Sequence, residues 1–280
     1  MRTTNPLDRP RTRRSVLGTT GVAIASSIAG CTNIVGSDSS DNEAGGDSTG
    51  SSSDTTPEGV TPSGELPFMH TATGTTEYGV PLDGSPVMGA DDAPVDIYYW
   101  SDYLCTYCSS FALQVHSQIL EEDVRAGTVR FVFLELPFKG DNSVPAAVLA
   151  KCVWEQLSED DPNAYWEWHQ ALYQNQGEVD SGWADREKLL AITSDLGIDT
   201  GPIQDCIKSS ESEKREEIQT EIDLADRAAL KGTPAFVLVN KEAYDGSDTV
   251  GDDGNVVKKI EGSHPYELFS KEIQTVLNAG

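Results

Sequence analysis

Two cysteines separated by two residues, Cys105 and Cys108, stand in the stretch WSDYLCTYCSSF at positions 100–111. Such a pair is compatible with half of a zinc site, a structural disulfide or a redox-active dithiol. Zinc needs further ligands, but the sequence has no second C-x-x-C and its four histidines show no ligand spacing. A disulfide across two residues closes too small a loop to add much stability. We therefore favour a redox-active dithiol, with no metal and no cofactor.

The segments around this pair predict how it is held. The run VDIYYW at 95–100 is rich in β-forming residues and indicates a strand, and from Cys105 onward the apolar residues fall on one helical face. Cys105 then lies where a strand ends and a helix begins, where free N–H groups and the helix dipole favour a thiolate. We expect Cys105 to be the exposed attacking sulfur, and Cys108, on the apolar face, to be the resolving sulfur.

The rest of the chain predicts an α/β fold. A second strand is expected at 128–136 (TVRFVFLEL), and its apolar residues on both faces indicate a strand covered on both sides. A helical block follows at about 143–230, and then two strands and a closing helix. Five helices are expected in the block. They are one that begins at Pro145, one that begins at Asp161-Pro162, one from about Asp185 to Leu196, a short one around Cys206, and a last one that ends at Gly232. This order is a thioredoxin βαβ and ββα core with a helical insertion between its halves.

Cys152 and Cys206 lie on two helices of the predicted insertion. With Cys31 set aside for reasons given below, the remaining cysteines are even in number, as paired sulfurs in an exported chain require. We predict a structural disulfide between Cys152 and Cys206; the alternative is that each is a buried apolar thiol. His169, on an apolar helical face, is expected to be a packed core histidine.

Over about residues 78–278 the sequence resembles the DsbA-like thiol–disulfide oxidoreductases. The resemblance rests on YWSDYLCTYC, GTVRFVFLELPF, AKCVWEQL, YWEWHQALYQNQ, LKGTPAFVLVN and IEGSHPYELF, in that order. It implies that Thr233-Pro234 is the cis-proline beside the dithiol, and that this turn binds an extended substrate strand. The alternative is a trans proline that begins an edge strand.

Two positions depart from the family pattern. Thr106 stands where many members have proline, and Tyr99 stands where many have an acidic residue that helps move protons at the buried cysteine. Proton transfer then falls to Asp102, to water or to no specific group. We expect Asp102 to be an exposed turn aspartate.

The N-terminal region predicts export. Arg13-Arg14 precede a mildly apolar stretch that is shorter than the ~20 residues of a membrane-spanning helix, which indicates a Tat signal peptide over residues 1–30. The residues IAGC resemble a lipobox, with Cys31 as the lipidated residue. Residues 31–65 are dominated by Ser, Gly, Thr and acidic residues and predict a disordered tether, followed by one domain over 66–280. The alternative is an uncleaved anchor in which Cys31 is incidental.

The charge is strongly acidic. The net charge is −26, and without residues 1–30, which carry five Arg and one Asp, it is −30. Such a surface repels phosphates, so we exclude a nucleic-acid partner. It also indicates a halophilic source, a haloarchaeon, where high salt screens the repulsion.

Together these features predict a lipid-anchored disulfide oxidoreductase on the extracellular face of the membrane. We expect it to exchange disulfides with thiol-containing exported proteins and to be served by a membrane redox partner. The alternatives are a reductase or isomerase on the same fold, or a redox-inert surface lipoprotein that binds a ligand or metal.

Overall fold

The computed structural model describes residues 68–246 and 256–279. The predicted signal peptide at 1–30, the tether at 31–65 and Cys31 lie outside the described residues.

A mixed sheet forms the centre of the described domain. Its strands stand in the order β1-β2-β4-β3-β5-β6, with β3 and β4 parallel and all other neighbours antiparallel. The strands are β1 (Met69–His70), β2 (Val87–Met88), β3 (Val95–Ser101), β4 (Val129–Glu135), β5 (Ala235–Asn240) and β6 (Val257–Glu261).

Helices join the strands in the predicted order. They are α1 (Thr106–Gln114), α2 (His116–Ile119), α3 (Ser143–Leu157), α4 (Pro162–Gln174), α5 (Arg186–Asp195), α6 (Thr200–Arg227) and α7 (Tyr266–Leu277), and a π-helical turn over Leu120–Val124 follows α2. The first half of the fold is β3–α1–β4 and the second half is β5–β6–α7. Helices α3 to α6 lie between the halves, so the predicted thioredoxin fold with its helical insertion is confirmed.

The sheet is covered on both faces, as the apolar run of β4 predicted. Every residue of β3, β4 and β5 is buried. One hydrophobic cluster, around Tyr99 and Phe111, contains residues of α1, α3, α4 and α7, and the other, around Tyr98 and Trp100, contains Leu224 and Ala225 of α6. The central strands are thus held rigidly, and the end of β3 carries the C-x-x-C turn.

Two details of the insertion differ from the sequence prediction. The helix around Cys206 and the helix that follows form one continuous helix, α6, because the polar stretch between them keeps helical ion pairs such as Arg215–Glu211 at 2.8 Å. The helix ends at Ala228, and Ala229 takes the left-handed conformation (φ 56°), so Gly232 does not end it. The stretch at 208–217 lacks apolar residues, and hydrophobic periodicity therefore could not reveal its helix.

Candidate active site

Cys105 is the N-cap residue of α1, with the extended backbone that ends β3 (φ −84°, ψ 117°). Its Sγ donates a hydrogen bond to the carbonyl oxygen of Thr233 at 3.1 Å. The N–H groups of Tyr107 and Cys108, in the first turn of the helix, also lower the pKa of this thiol. Both Cys105 and Cys108 are free thiols in the structure. The sulfur therefore meets the positive end of a helix on one side and a carbonyl group on the other.

The peptide bond between Thr233 and Pro234 is cis, as the resemblance implied. Pro234 directly precedes β5, which pairs antiparallel with β3 so that Ala235 stands opposite Trp100. This register brings the Thr233-Pro234 turn to the end of β3 at which the dithiol lies. Two segments 128 residues apart in the chain thus form one site.

The two thiols have opposite acidities. A hydrogen bond from the Cys108 thiol is the largest effect on the pKa of Cys105 and lowers it. Burial raises this pKa, but the Thr233 side chain and the helix N–H groups lower it further, so that it falls from 9.0 to about 6. Burial raises the pKa of Cys108 well above its usual value. At neutral pH Cys105 is therefore mainly a thiolate and Cys108 a thiol, which is the division of roles predicted for attack and resolution.

The expected exposure of Cys105 is wrong. Only 2% of the residue is exposed, because the Thr233 carbonyl packs directly against its sulfur. The neighbouring Tyr107, by contrast, is 64% exposed. A protein substrate must therefore approach the sulfur along the cis-proline turn or displace the side chains over it.

Asp102 also differs from its prediction as an exposed turn residue. It is completely buried, and its carboxylate accepts hydrogen bonds from Leu104, Phe138, Lys139 and Ser143. Aspartate is common in turns both when its carboxylate is exposed and when N–H groups surround it. The residue type therefore could not reveal that Asp102 is buried. Two of the donors, the N–H groups of Phe138 and Lys139, come from a loop more than thirty residues away, and local sequence patterns do not reveal such a contact.

Three aromatic and polar residues complete the surroundings of the dithiol. Tyr99 is fully buried, stacks on Phe236 at 5.1 Å between ring centroids, and has its pKa raised by burial, so it stays protonated. His169 is a packed core histidine, as expected, and its Nδ1 lies 3.0 Å from the hydroxyl of Tyr103. Burial lowers the pKa of His169 to about 3, which keeps it neutral.

Gln176 is a site residue that the sequence analysis missed. Its side-chain amide donates to the carbonyl oxygens of Tyr103 (2.7 Å) and Cys105 (3.1 Å) and so ties the end of α4 to the active-site turn. No spacing or motif in the sequence points to this contact.

The predicted disulfide between Cys152 and Cys206 is present, with an S–S distance of 2.05 Å. It joins α3 to α6 within the helical insertion. Cys152 is 1% exposed, so its sulfur lies in the core, whereas Cys206 is partly buried.

Two further features of the described residues bear on the site. No cluster of three or more His, Cys, Asp or Glu side chains in residues 68–246 and 256–279 is arranged to hold a metal ion. In the same part of the chain, no helix combines the length and the apolar character needed to cross a membrane.

A low-pKa thiol at a helix N terminus, a buried partner thiol and a facing cis-proline, all on a thioredoxin-like fold, define a thiol–disulfide oxidoreductase. A family model described as thioredoxin matches residues 82–259. The chain belongs to that family.

Known relatives agree with this class. Over 163 residues the chain is 27% identical to disulfide bond formation protein D of Bacillus subtilis, a match that covers 57% of this chain and 70% of the relative. The fold is similar to the crystal structure of oxidised BdbD from Bacillus subtilis, with a TM-score of 0.56, 22% identity and coverage of 74% and 98% of the two chains. It is also similar to α-DsbA1 of Wolbachia pipientis, with a TM-score of 0.54, 20% identity and coverage of 70% and 92%.

Proposed function

We propose that this protein is an extracytoplasmic oxidant of protein thiols, which transfers the Cys105–Cys108 disulfide to exported proteins through a mixed disulfide at Cys105. The observation that carries the proposal is the thiolate-favouring position of Cys105 at the N terminus of α1, next to the Cys108 thiol and the cis-proline turn. A stabilised thiolate favours the reduced form of the enzyme, and a couple with a stabilised reduced form donates its disulfide readily.

In this function the turn at Thr233 and Pro234 binds the substrate. An extended polypeptide would lie along the turn and pair with its backbone, which places a substrate cysteine next to Cys105. A membrane redox partner then restores the disulfide after each transfer.

The test is a comparison of two serine variants. Cys108→Ser keeps the attacking thiolate but lacks the internal thiol that clears mixed disulfides, so adducts with exported proteins should accumulate as reductant-sensitive bands on a non-reducing gel. Cys105→Ser should give few adducts, because Cys108 is buried and protonated. Equal trapping by both variants would show that the roles are misassigned, and no trapping by either would refute the proposed function.

We infer the location of the enzyme from the N-terminal residues. Arg13 and Arg14 support export by the Tat route, and Cys31 supports a lipid anchor at the extracellular face. Replacing both arginines by lysine should leave precursor in the cytoplasm, and Cys31→Ala should block processing or release soluble protein. Membrane attachment of a fully processed Cys31→Ala protein would contradict the anchor.

A further inference from the structure

Asp102 is a buried charged residue between the end of β3 and the start of α1. Its Oδ1 accepts hydrogen bonds from the N–H of Leu104 (2.8 Å) and the hydroxyl of Ser143 (2.9 Å). Its Oδ2 accepts from the N–H groups of Phe138 (2.7 Å) and Lys139 (2.9 Å). Four donors from three segments of the chain compensate for the loss of water around the carboxylate. The side chain thus fixes the turn that contains it against the loop between β4 and α3.

The backbone of Asp102 acts on both cysteines. Its carbonyl oxygen accepts the N–H of Cys105 at 2.9 Å. Its own N–H lowers the pKa of Cys108 and so opposes the larger rise that burial causes. Cys105 and the side chains of Tyr99 and Tyr173 interact electrostatically with Cys108, and burial raises the pKa of both tyrosines and keeps them neutral.

Cys108 must nevertheless carry a negative charge during exchange. When a substrate thiolate attacks Sγ of Cys105, the bond between Cys105 and Cys108 breaks and Cys108 leaves as a thiolate. In the reverse step the Cys108 thiol gives its proton to water and attacks Cys105, and the substrate leaves as a thiolate. Both steps only exchange sulfur partners, so they need no further oxidant or reductant.

On the basis of the function proposed above, we propose that Asp102 is a positioning residue for the resolving thiol. Its carboxylate holds in place the peptide whose N–H faces Cys108, and it thereby controls how fast Cys108 leaves and attacks. In Asp102→Asn, the side-chain NH2 group faces N–H donors of the loop between β4 and α3, and two donors cannot form a hydrogen bond. The peptide of residue 102 is then no longer held in its position.

The experiment follows the two sulfurs separately in the full chain with Cys31→Ser as background. Reduced protein is mixed with an aromatic disulfide whose thiolate product is coloured: the first, bimolecular release reports attack by Cys105, and the second, unimolecular release reports attack by Cys108. Asp102→Asn should leave the rate of the first release within about twofold of the parent rate and should slow the second release about tenfold. A tenfold change is the effect expected from one lost hydrogen bond to a charged group. The second rate should also need a higher pH to reach half its maximum.

Asp96→Asn is the matched control, because Asp96 is an equally buried aspartate near the other end of β3, paired with Arg130. It should lower the melting temperature and leave both release rates unchanged. Should Asp102→Asn fail to fold, Ser143→Ala removes one donor to the same carboxylate and should slow the second release about threefold.

An unchanged second rate in Asp102→Asn, or in Ser143→Ala where that variant replaces it, would overturn the positioning role. Equal slowing by Asp96→Asn would also overturn it, because the effect would then be general loosening. Absence of any release from Cys105 in the unmodified protein would instead refute the proposed function itself.

Discussion

The low pKa of Cys105 should depend mainly on its partner thiol. A hydrogen bond from Cys108 is the largest of the effects that lower this pKa to about 6. Cys108→Ala removes that donor, whereas Cys108→Ser keeps a hydroxyl donor at the same position. A hydrogen bond to a charged group contributes roughly 1.5–3 kcal/mol, and each pKa unit corresponds to about 1.4 kcal/mol. The pKa of Cys105 should therefore rise to about 7–8 in the alanine variant and clearly less in the serine variant.

The same shift should make the reduced protein more stable with rising pH. Because the folded pKa lies below the usual value of 9.0, the stabilisation is complete only above that value and is lost as the pH falls through about 6. At pH 7 it amounts to about 1.4 kcal/mol, which corresponds to about 30 mV in a two-electron couple. The enzyme should thus exceed an ordinary dithiol in oxidising strength, and this difference should be larger at pH 7 than at pH 5.

The assay is the rate of alkylation of Cys105 as a function of pH in the Cys31→Ser background. The rate follows the thiolate fraction, so its midpoint reports the pKa. A midpoint near 9.0 in the parent protein, the usual value of a cysteine thiol, would refute the electrostatic account of the site. Identical midpoints for the parent protein and Cys108→Ala would show that the helix N terminus and Thr233 suffice without the partner thiol.

Three further predictions concern stability. Replacing both Cys152 and Cys206 by alanine should lower the free energy of unfolding by about 4 kcal/mol, since their bond closes a loop of about 55 residues, and urea titration should show a lower midpoint; an unchanged midpoint would contradict this. Asp96→Asn should cost about 3–5 kcal/mol in the same titration, because it leaves the buried guanidinium of Arg130 with only the exposed carboxylate of Asp91 as a charged partner; a loss below 1 kcal/mol would contradict a buried ion pair. The melting temperature should climb steeply between about 0.1 M and 1 M KCl, where the screening length falls from ~10 to ~3 Å, because the net charge is −26; a flat profile would remove the halophile hypothesis.

The sequence predicted the regular parts of this molecule because local signals determine them. The strands around Trp100 and Phe133 are marked by apolar runs, and the N terminus of α4 by Asp161 and Pro162. The helices at 200–227 were divided wrongly because their polar middle gives no periodic signal. Strands β1 and β2 were missed because two residues each are too few for any pattern.

The site was predictable only in its motifs. All five residues lie in stretches that carry the family resemblance, but the motifs mark only Cys105, Cys108 and Pro234, because Gln176 and Asp102 act through contacts with distant backbone groups. The exposure of Cys105 could not be read from the sequence because the covering carbonyl comes from Thr233, on the other half of the fold. Local chemistry thus marks which residues react, and tertiary packing decides how each is surrounded.

The long separation between Cys105 and Thr233 has a consequence for the protein's own maturation. The N terminus of α1, the Cys108 thiol and Thr233 of the other half act together on the sulfur only in the folded domain, so in an unfolded chain Cys105 is an ordinary, weakly acidic thiol. Thiol exchange depends on the thiolate fraction, which is only a few per cent for an ordinary cysteine at neutral pH. In the unfolded chain Cys105 is therefore no more reactive than Cys152 or Cys206. The special reactivity of Cys105 is thus a property of the assembled fold and not of the C-x-x-C sequence alone.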